Sequence, residues 1–239
     1  MTPPTDCEAM EDPCLPRCTS STIALGNLDA QIAGLVQQYG QEASPDTGSR
    51  LIDGLLARHG VTADDRDLNA ARRLAAELVE RACDDSTSWI ARARVDIATH
   101  HHDDAGQALA RAVRLGVSPA AVSEEHADLL EARGRNAAAL RIRLAERTGH
   151  TEPQQMARTA CLHLRAGNEE QARELLGEAL RTYTSPSPLP LASMLFNWGH
   201  TLQHQGQDEQ AAKAYRTVTA YLPPHARARR ALAELGAHP

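Results

Sequence analysis

Residues 193–224 read SMLFNWGHTL QHQGQDEQAA KAYRTVTAYL PP. Apolar residues recur every three or four positions on both sides of Gly206, which predicts two amphipathic helices broken at that glycine. Pro223 and Pro224 then stop the second helix. A helix pair of this size buries only one face by itself, so it needs neighbours of the same kind to stack against. The fold is decided by whether the chain contains them.

Ala211 stands near the start of the second helix, and Ala105, Ala139 and Ala172 precede it at successive separations of 34, 33 and 39 residues. Twelve residues before these alanines stand Ala93, Ala127, Ala160 and Gly199. Five residues before them come His100, Gly134, Gly167 and Gly206, where a turn is expected. Three columns in one register imply a repeated helix-turn-helix. Two antiparallel helices approach closely only where the facing side chains are small, which explains the Ala and Gly columns. Glycine at the turn supplies the positive φ that ends the first helix.

With these residues the chain resembles the tetratricopeptide repeat family. Leu195, Trp198, Gly199 and Leu202, then Ala211 and Tyr215, then Pro223 follow the family's pattern of W-x2-L-G-x2-Y, A-x3-F and P with large apolar identities exchanged. Ala160, Gly167, Ala172, Leu176 and Ala179 match in the preceding unit, and Ala127, Gly134 and Ala139 in the one before. The unit that begins at Trp89 offers Ala93, Ala105, Leu109 and Ala112, but has His100 in place of the turn glycine. Ala71 lies 34 residues before Ala105 and suggests a degenerate repeat across 51–84. The resemblance implies an all-α fold, an α-solenoid of stacked helix-turn-helix repeats over 86–239, closed by a C-terminal capping helix from His225 to Gly236. In that helix Ala228, Leu232 and Leu235 form one apolar stripe, and Arg227, Arg229 and Arg230 are expected to face solvent.

Composition agrees with helices. The 239 residues are 42% apolar, but aromatics are only 3%, so Leu, Ala and Val must fill the core. A net charge of −6 argues against nucleic acid, whose phosphates call for a basic face. Lys213 is the single lysine, and Arg in place of Lys with abundant Ala suggests a bacterial, GC-rich genome. The start, MTPPTDCEAMEDPCLP, is acidic and broken by proline, unlike a signal peptide, and no apolar run reaches the ~20 residues of a membrane span. A cytoplasmic protein with reduced cysteines is expected.

Residues 1–24 lack a helical period and read as a disordered tail carrying Cys7, Cys14 and Cys18, whose spacing matches no common zinc pattern. Deleting such a tail is expected to leave thermal stability almost unchanged. Residues 25–85 form a helical N-terminal region, with helices near 28–39 and 49–59 and Asp46 or Thr47 as a cap. The segment TYTSPSPLPL, 182–191, is expected to be a looped-out or polyproline stretch that hinges the repeats.

No dinucleotide, phosphate-loop, nucleophile-elbow or H-E-x-x-H motif is present, so neither an enzyme nor a cofactor is expected. His100, His101 and His102 with Asp103 and Asp104 read as a polar turn with a capping Asp, or as a metal site. His200 and His204 share a helix face at a spacing that suits zinc, but no third ligand follows them. In the family, the first helix of each pair lines a concave groove that holds a peptide. Carried over, this role falls to Arg94, Asp128, Glu131, Arg158, Arg165, Asn197, His200 and His204. Arg165, Asn197 and His200 fit part of the Lys, Asn and Arg set with which some members grip a carboxylate; no lysine joins them. Arg158 and Arg165, flanked by Asn197, His200 and His204, are expected to form a cationic stretch that binds acidic groups more tightly below about pH 6.5. The expected function is a scaffold that binds a protein or peptide. Alternatives are an accessory or chaperone-like partner of a biosynthetic enzyme, and a metalloprotein that uses the histidine-rich turn and the tail cysteines.

Overall fold

The computed structural model describes residues 16–145 and 152–236. Among these residues the regular structure is entirely helical, with twelve α-helices, a short 3-10 turn at Pro119–Val122 and no strand. The first three helices are α1 (Ser21–Gln41), α2 (Pro45–Thr62) and α3 (Asp65–Arg81). Four helical hairpins follow: α4 (Ser86–Ala98) with α5 (His102–Arg114), α6 (Ser123–Ala132) with α7 (Asn136–Ala145), α8 (Pro153–Arg165) with α9 (Glu169–Thr182), and α10 (Pro188–His204) with α11 (Asp208–Tyr221). The last helix is α12 (Ala226–Glu234). No helix among the described residues is long and apolar enough to cross a membrane.

Local chemistry fixes where these helices begin. The side chains of Ser20, Ser44, Asp64, Asp85 and Ser187 accept backbone N–H groups at the starts of α1, α2, α3, α4 and α10. Pro45 and Pro188 occupy first-turn positions, where the missing N–H costs nothing. Three expectations change as a result. α1 starts at Ser21, seven residues earlier than the apolar period suggests, and α2 is capped by Ser44 instead of Asp46 or Thr47. The proline segment 182–191 is no ten-residue loop, because Pro188, Leu189 and Pro190 already belong to α10. Only residues 183–187 connect the helices, and the buried Tyr183 donates its hydroxyl to the Ser187 carbonyl.

The four hairpin turns share one backbone solution. His100, Gly134, Gly167 and Gly206 have φ of 62°, 71°, 80° and 74°. Each donates its N–H three residues back, to Ile97, Glu131, Leu164 and Gln203, and the next residue donates five back, to Asp96, Leu130, His163 and Leu202. This is the Schellman pattern, which satisfies the last carbonyls of the first helix and turns the chain toward the second. His100 adopts it without glycine's freedom. No Asp caps the histidine-rich turn; His101 is the N-cap and makes no side-chain cap bond.

The small residues sit at the crossings, as their spacing implies. Ala93, Ala105, Ala127, Ala139, Ala160, Ala172 and Ala211 are all fully buried. At Gly199 a Cβ would lie 2.9 Å from the Tyr215 ring and 3.1 Å from the Ala214 methyl, so only glycine lets α10 and α11 approach this closely. Hairpin partners pack against each other, and α2 also packs on α4, α4 on α6, and α8 on α10. Ala91 and Val95 of α4 share a core with α1, α2 and α3, so the N-terminal helices and the first hairpin are not separate units. Arg58 of α2 joins Asp29 of α1 at 2.8 Å and Asp67 of α3 at 2.6 Å.

The two ends of the described chain also meet: α12 packs on α2, and α1 on α10. Thr19 donates both its N–H and its hydroxyl to the Pro186 carbonyl, at 2.7 and 3.1 Å. Tyr221 donates to the Pro16 carbonyl at 2.8 Å, and Cys18 and Leu25 pack on the C-terminal core. Residues 16–24, read from sequence as part of an unstructured tail, are therefore docked. Cys7 and Cys14 lie outside the described residues. The expected hinge at the proline segment is the place where the N-terminal segment attaches.

Candidate functional site

The sequence-predicted groove residues separate into two groups. Arg94, Asp128, Glu131, Arg158 and Arg165 come together in ion pairs that cross from one hairpin to the next. Arg94 of α4 reaches Glu125 of α6 at 2.7 Å and Asp53 of α2 at 3.2 Å. Arg158 of α8 reaches Asp128 at 2.6 Å and Glu124 at 3.5 Å, and Arg165 reaches Glu131 at 2.8 Å, all on α6. Arg165 also donates to the Thr201 hydroxyl of α10. Behind them Arg143 of α7, with a side chain only 5% exposed, pairs with Asp128 and with Glu131. Burial works against the charge on Arg158, but Asp128, Glu131 and Glu124 outweigh it and hold its pKa above the ordinary value. Burial likewise opposes Arg94, and Asp53 and Glu125 prevail.

The expected free cationic stretch is thus neutralised by the preceding hairpin. Arg165 is matched to Glu131, 34 residues before it, and Arg94 to Glu125, 31 residues after it. The partners Asp53, Glu124, Glu125 and Arg143 were not among the residues expected from sequence; the separations of 31 and 34 residues are the one signal that hinted at Glu125 and Glu124. Asn197 remains available. It lines a cleft of about 470 Å³ between the starts of α6 and α8 and the middle of α10, with Glu124, Gln154, Gln155, Arg158 and Ser193. No described residue hydrogen-bonds the side chains of Asn197, Gln154 or Ser193.

His200 and His204 lie further along α10 than Asn197 and line a different concavity. Nε2 of one ring sits 3.1 Å from Nε2 of the other, so one ring donates and the other accepts. Burial, then His204, Arg165 and Arg227, push the His200 pKa down to about 4, and the ring is neutral at pH 7. The expected gain of positive charge at His200 near pH 6.5 is therefore displaced to far lower pH. The two rings line a notch of about 360 Å³ with Phe196, Tyr215, Arg227 and Arg230. The Arg227 guanidinium stands 4.7 Å above the Phe196 ring, while His225 stacks on that ring at 5.1 Å. Arg227 is exposed, as expected, and it also stands over the Phe196 ring at the edge of this notch. Nothing in the sequence spacing pairs Phe196 with Arg227, which stands 31 residues on in a different helix.

Cys161 is buried in α8, and burial raises its thiol to about 11, so it is a poor nucleophile at neutral pH. Cys18 is half-buried, and burial raises its thiol too. Among the described residues no three His, Cys, Asp or Glu side chains converge as metal ligands, at the His100–His102 turn or elsewhere. Comparison with models of known protein families and with curated proteins found no match to this chain.

Proposed function

We propose that this chain is a tetratricopeptide-like α-solenoid that binds a protein or peptide segment in the cleft between α6, α8 and α10. The observation that carries this reading is the cleft itself: three uncommitted polar side chains, Gln154, Ser193 and Asn197, face one concavity across adjacent hairpins. Amide side chains both donate and accept, so they suit the alternating N–H and C=O groups of an extended peptide. The repeated turn geometry and the small-residue crossings support the family assignment. The ion pairs of Arg94, Arg158 and Arg165 then serve to set the stacking of the hairpins, and the cleft's amides carry recognition.

The test is a quantitative affinity capture from the native host with wild-type chain and with Gln154→Ala/Asn197→Ala. A partner whose recovery drops about tenfold with the double variant, at unchanged melting temperature, supports the cleft. Partners recovered equally by both proteins overturn it.

A further inference from the structure

The notch between α10, α11 and α12 has features that the cleft lacks. Its floor is aromatic: Phe196 is flanked by His225, by Tyr215 at 5.5 Å between ring centroids, and by His200 at 6.2 Å. The Tyr215 hydroxyl is already committed to Gln203 at 2.8 Å. Among the described residues neither Arg227 nor Arg230 forms an ion pair, although Glu234 lines the same notch. Elsewhere in this acidic protein the arginines that line the hairpin interfaces are matched to carboxylates. Here a flat guanidinium is fixed over a ring with its donor edges unclaimed.

We propose that this notch binds a single carboxylate carried by a peptide, held by Arg227 and Arg230 above the Phe196 ring; this rests on the peptide-binding reading above. A guanidinium that is stacked on a ring keeps its in-plane donors free and oriented, which is the geometry a bidentate carboxylate requires. The charge balance selects the ligand. Two arginines against Glu234, with His200 neutral, leave a net positive charge, which matches a carboxylate, and Glu234 beside it disfavours a dianion such as phosphate. The local field agrees. Burial, His204, Arg165 and Arg227 act on His200, and burial and Arg227 on His225, to hold both rings neutral. Burial also lowers the Arg227 pKa, and Arg230 lowers it further. An anion would relieve the mutual repulsion of these groups, whereas a metal cation at His200 and His204 would add to it.

The experiment is an NMR titration of the full chain, following the Arg227 side-chain N–H and the His204 ring. The probes are acetyl-Ala-Glu-Ala-amide, its Gln counterpart and inorganic phosphate. The expected result is saturable shifts with the Glu peptide and at least about tenfold weaker binding of the Gln peptide. Arg227→Gln and Arg230→Gln should each weaken the Glu peptide by about tenfold, with Arg230 serving as the variant that leaves the Phe196 stack untouched. Equal shifts from both peptides, indifference to both substitutions, or tighter binding of phosphate than of the Glu peptide would overturn the proposal. Gln154→Ala/Asn197→Ala separates the two sites. If the notch fails while a captured partner still depends on the cleft, the peptide-binding reading stands without the carboxylate.

Discussion

At His100 the chain adopts a left-handed backbone that glycines provide at the three matching turns. A side chain there costs about 1 kcal/mol, and the hairpin keeps the conformation because the turn's hydrogen bonds and the helices behind it over-determine the backbone. His225 shows a different single-residue constraint. It is 3% exposed and caps α12, with Nδ1 accepting the Ala228 N–H at 3.1 Å, so the cap needs a neutral ring. Burial, then Arg227, lower its pKa from the ordinary 6.5 to about 4. The unfolded chain therefore takes up a proton first as pH falls. The stability contributed by this residue is intact above pH 6.5, declines as pH drops toward 4, and amounts to about 3 kcal/mol at most. Urea unfolding of wild type and His225→Asn, which caps without titrating, should give a smaller loss between pH 7 and pH 4 for the variant. Parallel pH profiles would show that His225 is not the group responsible.

Between elements, carboxylates on α6 join α8 behind one face and α4 on the other. Asp128 is the most loaded of them, facing both Arg158 and the buried Arg143. Removing one partner of a buried pair leaves a charge without compensation, which is worse than never having had the pair. Asp128→Asn should therefore destabilise by about 3 kcal/mol in urea unfolding. A loss below about 0.5 kcal/mol would mean that solvent supplies what Asp128 does. The same view explains why arginines expected in a groove from the family pattern are found in ion pairs. In the sequence an Arg on a first helix looks free, because its partner sits a whole repeat away.

For the molecule as a whole, the two ends of the described chain are joined. Pro16, Cys18 and Thr19 bind around Pro186, Ser187 and Tyr221, and α12 rests on α2. A chain beginning at Ser21 should melt lower than one beginning at Pro16 by about 4 °C, since it loses these bonds and the packing of Cys18 at a cost near 1–2 kcal/mol. Equal melting temperatures would show that the attachment contributes nothing.

Much of this architecture was legible in the sequence. The helix period, the alanine and glycine columns and the turn spacing are local properties, set by 3.6 residues per turn and by the space at a helix crossing, so they are written into neighbouring residues. Ala93, Ala105 and Gly199 stand where their spacing implied, and even His100 keeps the turn register. What the sequence could not supply were the contacts between residues distant along the chain. Whether Arg158 faces solvent or Asp128, whether Arg227 points outward or lies over Phe196, and whether residues 16–24 trail or dock depend on the stacking of one hairpin on the next and on where the two ends arrive. Charge and ring contacts of that kind follow from three-dimensional proximity, and only the tertiary structure decided them.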